Sequence, residues 1–126
     1  MTNIIMFIDI NFNYIIYKID GNLIKNNEDN DIYNDLDLID TIVGYNIDNL
    51  MIEYYKLNNI NINNKLNIKK KVCLREMGKT FLNYVYYPTL KDIYLFIFGK
   101  YDKKIDELTM CYNCYFEIIY NNYMRK

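Results

Sequence analysis

The chain has 126 residues, with 15 Lys or Arg balanced by 16 Asp or Glu. That suits one compact domain, or a small domain carrying an insertion, and excludes a molecule drawn to nucleic acid by its overall charge. Ala, Ser, Gln, His and Trp are all absent, so neither a Ser-His-Asp triad nor a Cys-His pair can be built, and the composition points to a protein without catalysis of its own.

Ile, Asn, Lys and Tyr are used heavily, the mark of an AT-rich coding sequence, so composition reports codon bias before it reports function. No apolar run approaches bilayer-spanning length, and the first residues lack the basic and small-residue flanks of a signal peptide. Three cysteines, an odd number, fit a reducing compartment. These features predict a cytoplasmic or nuclear protein with no membrane partner and no small-molecule substrate.

Residues 3–10 and 14–19 are rich in Ile, Phe and Tyr around Asn11-Phe12-Asn13, which predicts a hairpin, and Asp20-Gly21 predicts a turn. Residues 25–31 are polar and acidic and read as a solvated loop. From Asn34 the spacing of Leu36, Ile39, Ile42 and Val43 predicts a helix ended by Gly44. A second helix after Asn46 would align Ile47, Leu50, Met51, Tyr54 and Tyr55, and the Asn-rich residues 58–67 read as a connector. A third would align Leu74, Met77, Phe81, Leu82 and Val85 before Pro88. Thr89 and Asp92 resemble a capping box opening a fourth helix through Leu90, Ile93, Tyr94, Ile97 and Tyr101.

Cys111 and Cys114 form a CxxC spacing inside sequence that reads as strand on both sides, Ile105 to Met110 and Tyr115 to Tyr120. Such a knuckle is half of a four-ligand zinc site. A redox pair or a purely packing role are the other readings of the same spacing, and Cys73 reads as a buried small hydrophobe. The expected fold is therefore α+β. A small zinc-ribbon-like antiparallel sheet would form from residues 1–32 and 103–126, around a helical insert over 33–102.

In this order the parts resemble the multifunctional methyltransferase subunit family, small zinc-knuckle activators of tRNA, rRNA and release-factor methyltransferases. The resemblance rests on Asp20-Gly21, Tyr33-Asn34 and residues 38–43, and on Ile105, Glu107, Met110, Cys111, Asn113 and Cys114 with the stretch 118–122 after them. It implies a non-catalytic adaptor that docks on an S-adenosylmethionine-dependent methyltransferase, with the cofactor in the partner and zinc as the one possible metal. The family's N-terminal thiolates have no counterpart here, where Asp9, Asn11 and Asn13 stand instead.

Lys65, Lys69, Lys70, Lys71, Arg75 and Lys79 gather in one stretch, while eight of the 16 acidic residues precede position 41. Such a stretch is either a solvated face or a phosphate-contacting patch. The second reading gives an alternative function, a ribosome-associated hibernation or dormancy factor that binds rRNA and ribosomal proteins and blocks translation. A lineage-specific interaction protein is a third. Tyr84, Tyr86, Tyr87, Phe96, Phe98 and Phe116 are the aromatic candidates for a partner interface.

Overall fold

The computed structural model describes residues 4–25, 32–67, 69–82, 87–101 and 103–121. Most of the acidic loop, Val85, Tyr84, Tyr86 and the residues after 121 lie outside the described residues. The fold is α+β: a five-stranded mixed sheet with helices packed on both faces.

Strand β1, Ile4–Ile8, is a continuous apolar run, the pattern of a strand covered on both sides. It pairs antiparallel with β2, Tyr14–Lys18, which pairs antiparallel with the short edge strand β3, Leu23–Lys25. On its other side β1 pairs parallel with β4, Thr41–Gly44, and β4 pairs parallel with β5, Lys70–Cys73, giving the order β3-β2-β1-β4-β5.

Asp40 fixes the start of the parallel half. Its carboxylate accepts from the Ile4 amide at 2.9 Å, its own amide donates to the Ile4 carbonyl at 2.8 Å, and its carbonyl accepts from the Lys70 amide at 3.0 Å. One residue thus ties the beginnings of β1, β4 and β5 together.

The helices are α1, Ile32–Asp35, running into a 3-10 turn at Leu36–Leu38; α2, Ile47–Asn58; α3, Asn63–Leu66; α4, Leu74–Leu82; α5, Leu90–Phe98; and α6, Glu107–Asn121. One face of the sheet buries Met6, Ile8, Ile16 and Ile42 against Leu36, Ile47, Leu50 and Leu66. The other buries Ile5, Phe7, Val43 and Val72 against Leu74, Ile93, Cys111, Cys114 and Tyr115. No helix among the described residues is long and apolar enough to cross a membrane.

Several expectations are met. The N-terminal hairpin forms, α2 follows Asn46, α4 starts at Leu74, and Thr89 and Asp92 make a reciprocal capping box at the head of α5. Three are corrected. The helix expected from Asn34 to Gly44 is one turn of α-helix and one 3-10 turn followed by β4, because the branched residues Thr41, Ile42 and Val43 fill a fully buried slot between β1 and β5. The Asn-rich connector contains α3 and sends Ile62 and Leu66 into the core.

The largest correction concerns the C-terminal strand and the zinc-ribbon-like sheet. Residues 107–121 are helix, because Met110, Cys111, Cys114, Tyr115 and Ile118 recur at helical spacing and bury one face. The sheet is not made by the two ends of the chain. Strands β4 and β5 come from the stretch expected to be a helical insert.

Two glycines permit close approach. A Cβ on Gly44 would stand 2.8 Å from the Ile47 Cδ1 and 3.0 Å from the Ile8 carbonyl oxygen, a backbone atom that cannot yield. A Cβ on Gly78, inside α4, would meet the Ile93 Cδ1 at 2.5 Å and the Pro88 Cγ at 3.0 Å. Alanine gains about 1 kcal/mol of helix propensity over glycine, whereas overpacking costs about 1–3 kcal/mol. Gly78→Ala is therefore expected to lower stability by about 1 kcal/mol in chemical denaturation, and a stabilised variant would show that α4 and α5 are not in contact there. A second test concerns Asp35, which is buried, accepts from the Tyr14 hydroxyl at 2.5 Å and pairs with Lys25 at 2.8 Å. Asp35→Ala removes the acceptor and is expected to cost about 3 kcal/mol by the same measurement.

Candidate functional site

Cys111 and Cys114 lie one turn apart on α6 and point into the core beside Phe7 and Val43. Burial pushes the Cys111 thiol far above its ordinary value, with the charge of Glu107 adding to the effect, and burial pushes Cys114 up to about 12. Burial and a raised pKa both disfavour the thiolate, the form that attacks and that binds metal. Among the described residues no three metal-ligating side chains come together. Cys73, at the end of β5, is half-buried.

The basic stretch is divided by the fold. Lys65 pairs with Asp37 at 3.1 Å, donates to the Tyr33 carbonyl and sits over the Tyr33 ring, and Lys69 donates to the Ile39 carbonyl. These two hold the connector against the 3-10 turn. Lys70 and Lys71 are exposed on the edge strand β5, where cations discourage further strand pairing. Arg75 and Lys79, one turn apart on α4, both approach the Tyr87 ring, at 3.7 Å and 4.6 Å from its centre.

The aromatic candidates also separate. Phe116 is half-buried against Phe7 and Tyr17, and Phe98 is half-buried against Tyr94 at 4.6 Å between ring centres. Phe96 is exposed and Tyr87 half-buried.

Groups that sequence reasoning had not joined converge at the carboxyl edge of the parallel strands. In open sheets of this kind, ligands bind beyond the carboxyl ends of the strands. Asp9 follows β1 and is 7% exposed, Tyr45 follows β4, Arg75 comes from the first turn after β5, and Glu107 opens α6. The Glu107 carboxylate accepts from the Ile10 amide at 2.8 Å across 97 residues of sequence. Burial raises the Glu107 pKa first, the Asp9 charge raises it further, and the Ile10 amide opposes both. Tyr45 donates its hydroxyl to the Pro88 carbonyl and is hydrogen-bonded by Arg75; burial raises its phenol while Arg75 holds it down. Glu76, hydrogen-bonded to Tyr87, raises that phenol in turn.

The two carboxylates are already engaged within the fold. One Asp9 oxygen accepts from the amides of Asn11 and Asn13, at 2.9 and 3.0 Å, and the other faces the Asn13 side-chain amide at 3.3 Å. Asp9 therefore shapes the β1–β2 loop, and Glu107 fastens that loop to α6. Tyr45 and Asn46 follow β4, and among the described residues no third metal-ligating side chain joins Asp9 and Glu107. Period-3.6 reading of residues 107–118 would have put Glu107 at a helix start, but nothing in the sequence pairs it with Ile10.

Comparison with protein-family models, with curated proteins and with solved structures finds no match.

Two measurements check this description. A thiol reagent applied to the native protein should titrate Cys73 at most, and all three cysteines after unfolding; rapid reaction of Cys111 would contradict its burial. Because the Glu107 pKa is raised in the fold, its contribution to stability is fully present below the ordinary glutamate range and is lost as pH rises through the raised value. The melting temperature of the parent protein should therefore fall relative to that of Glu107→Gln from mildly acidic to neutral pH. Parallel curves would remove the raised value.

Proposed function

We propose that the protein is a non-catalytic nucleic-acid-binding domain that receives a single-stranded phosphodiester backbone at the carboxyl edge of its sheet. The observation that carries this reading is the placement of Arg75 and Lys79 over Tyr87, next to Tyr45, at the end of the parallel strands. A planar guanidinium stacked on a ring keeps N–H donors for phosphate, and aromatic faces accept unpaired bases with little regard to sequence. Lys71 on the edge strand β5 is exposed, but its register with Ile42 puts it on the α2 face of the sheet, away from Arg75 and Lys79.

The order β3-β2-β1-β4-β5, with β2 antiparallel to the strands beside it, brings the carboxyl ends of the parallel strands β1, β4 and β5 to one edge, where Tyr45 and Arg75 stand. Hydrolysis is left out of the reading because Asp9 and Glu107 serve the loop and no third carboxylate joins them among the described residues.

The methyltransferase-activator reading loses its structural support, since the knuckle that suggested it is one buried face of α6. The contact with RNA expected of the basic stretch is kept in reduced form, resting on Arg75 and Lys79 and no longer on Lys65, Lys69 or Lys71.

The test is fluorescence anisotropy with a labelled single-stranded oligonucleotide over a range of salt. Affinity should fall steeply with salt, and Arg75→Glu with Lys79→Glu should weaken it by about tenfold or more. Salt-independent or absent binding would reject the reading. In the same tubes, cleavage of the probe in magnesium or manganese that is lost in Asp9→Asn would overturn its non-catalytic half.

A further inference from the structure

The inner face of α2 buries Ile47, Leu50 and Tyr54, yet one flank of the helix also presents apolar side chains to solvent. On it Ile52 is 55% exposed and Tyr55 51%. A groove with a volume of 650 Å³ runs along this flank, lined by Asp48, Met51, Ile52, Tyr55, Lys56 and Asn61. It lies on the side of the sheet opposite α4 and α6, away from Arg75 and Tyr87.

The arrangement of charge decides what fits it. Asp48, Ile52 and Lys56 succeed one another at four-residue intervals and form one ridge, with the two charges about 12 Å apart at the usual helical rise. The ridge is complementary to its own reverse. If a second copy of α2 lies antiparallel across it with Ile52 on the two-fold axis, Asp48 of each copy meets Lys56 of the other, and Ile52 and Tyr55 leave water together. A parallel arrangement would oppose like charges. Lys56 has an exposed in-helix neighbour, Glu53, at 3.5 Å, so the inter-chain contact would add a second carboxylate to it.

From this geometry we propose that the chain forms a two-fold symmetric homodimer through this flank of α2, with Ile52 at the axis and reciprocal Asp48–Lys56 pairs on either side. Such an interface is self-complementary, the property closed dimers require, and its apolar centre within a charged rim is the usual anatomy of one. The nucleic-acid surface faces away and would be presented twice, which raises avidity for a long strand without new contacts.

The experiment is sedimentation equilibrium on the nuclease-treated protein across a range of concentrations. The mass should rise from 15.4 kDa toward twice that value. Ile52→Glu should leave a monomer. Asp48→Lys or Lys56→Asp alone should weaken association by about tenfold, and the double charge reversal should restore it. Circular dichroism melts confirm that each variant is folded, as expected for solvent-facing positions. A folded parent protein that stays monomeric at every concentration would overturn the proposal. So would a folded double reversal no better than its single parents. Neither result touches the oligonucleotide test, which reads a different face.

Discussion

Strand β1 has no side facing water, and the rest of the molecule is arranged around that fact. Ile5 and Phe7 project to one face and Met6 and Ile8 to the other, all of them 3% exposed or less. Each such side chain contributes about 1.5–3 kcal/mol when fully buried, so both faces must be covered by something. Tyr17, Tyr112, Tyr115 and Phe116 close around the Phe7 ring at 5.4–6.1 Å between centres. Because successive strand residues alternate in direction, a one-residue slip of β1 would exchange the two cores. The two hydrogen bonds between Asp40 and Ile4 oppose that slip at one end of the strand, and the Asp9 loop fixes the other.

The same strand explains why chemistry-bearing groups collect where they do. The end of β1 must turn sharply toward β2, and Asp9 supplies acceptors for the turn amides. Covering Phe7 brings the start of α6 to that turn, so Glu107 arrives beside Asp9 as a by-product of packing. Burial raises the Glu107 pKa, and the neighbouring Asp9 charge adds to it. Its place in the first turn of a helix compensates, because acidic groups are favoured at that end, and Asp106 caps the same turn by accepting from the Thr109 amide at 2.7 Å.

What could be read from the sequence was what local rules control. Asn11-Phe12-Asn13 between two branched runs gives the hairpin, and Thr89 with Asp92 gives the head of α5, because each depends on neighbours in the chain. Residues 41–44 misled because Leu36, Ile39, Ile42 and Val43 satisfy helical spacing while four consecutive buried positions satisfy a central strand equally well. Only the partners β1 and β5 decide between them. The CxxC spacing misled for the same reason: a separation of three is both a knuckle and one helical turn. The basic stretch looked like one patch because linear proximity hides direction; Lys65 and Lys69 are spent on carbonyls and Asp37, and only the later residues reach the strand ends. The pairing of Ile10 with Glu107 spans nearly the whole chain and has no local signature.

The late position of α6 has a consequence for how the protein is made. A nascent chain synthesised as far as Tyr101 already holds all five strands and α2 to α5, yet Phe7, Ile5 and Val43 still lack the cover that Cys111, Cys114 and Tyr115 provide. Until residues 107–118 have been made and have folded, that apolar sheet face stays open, the interval in which a chaperone or an aggregating neighbour competes for it.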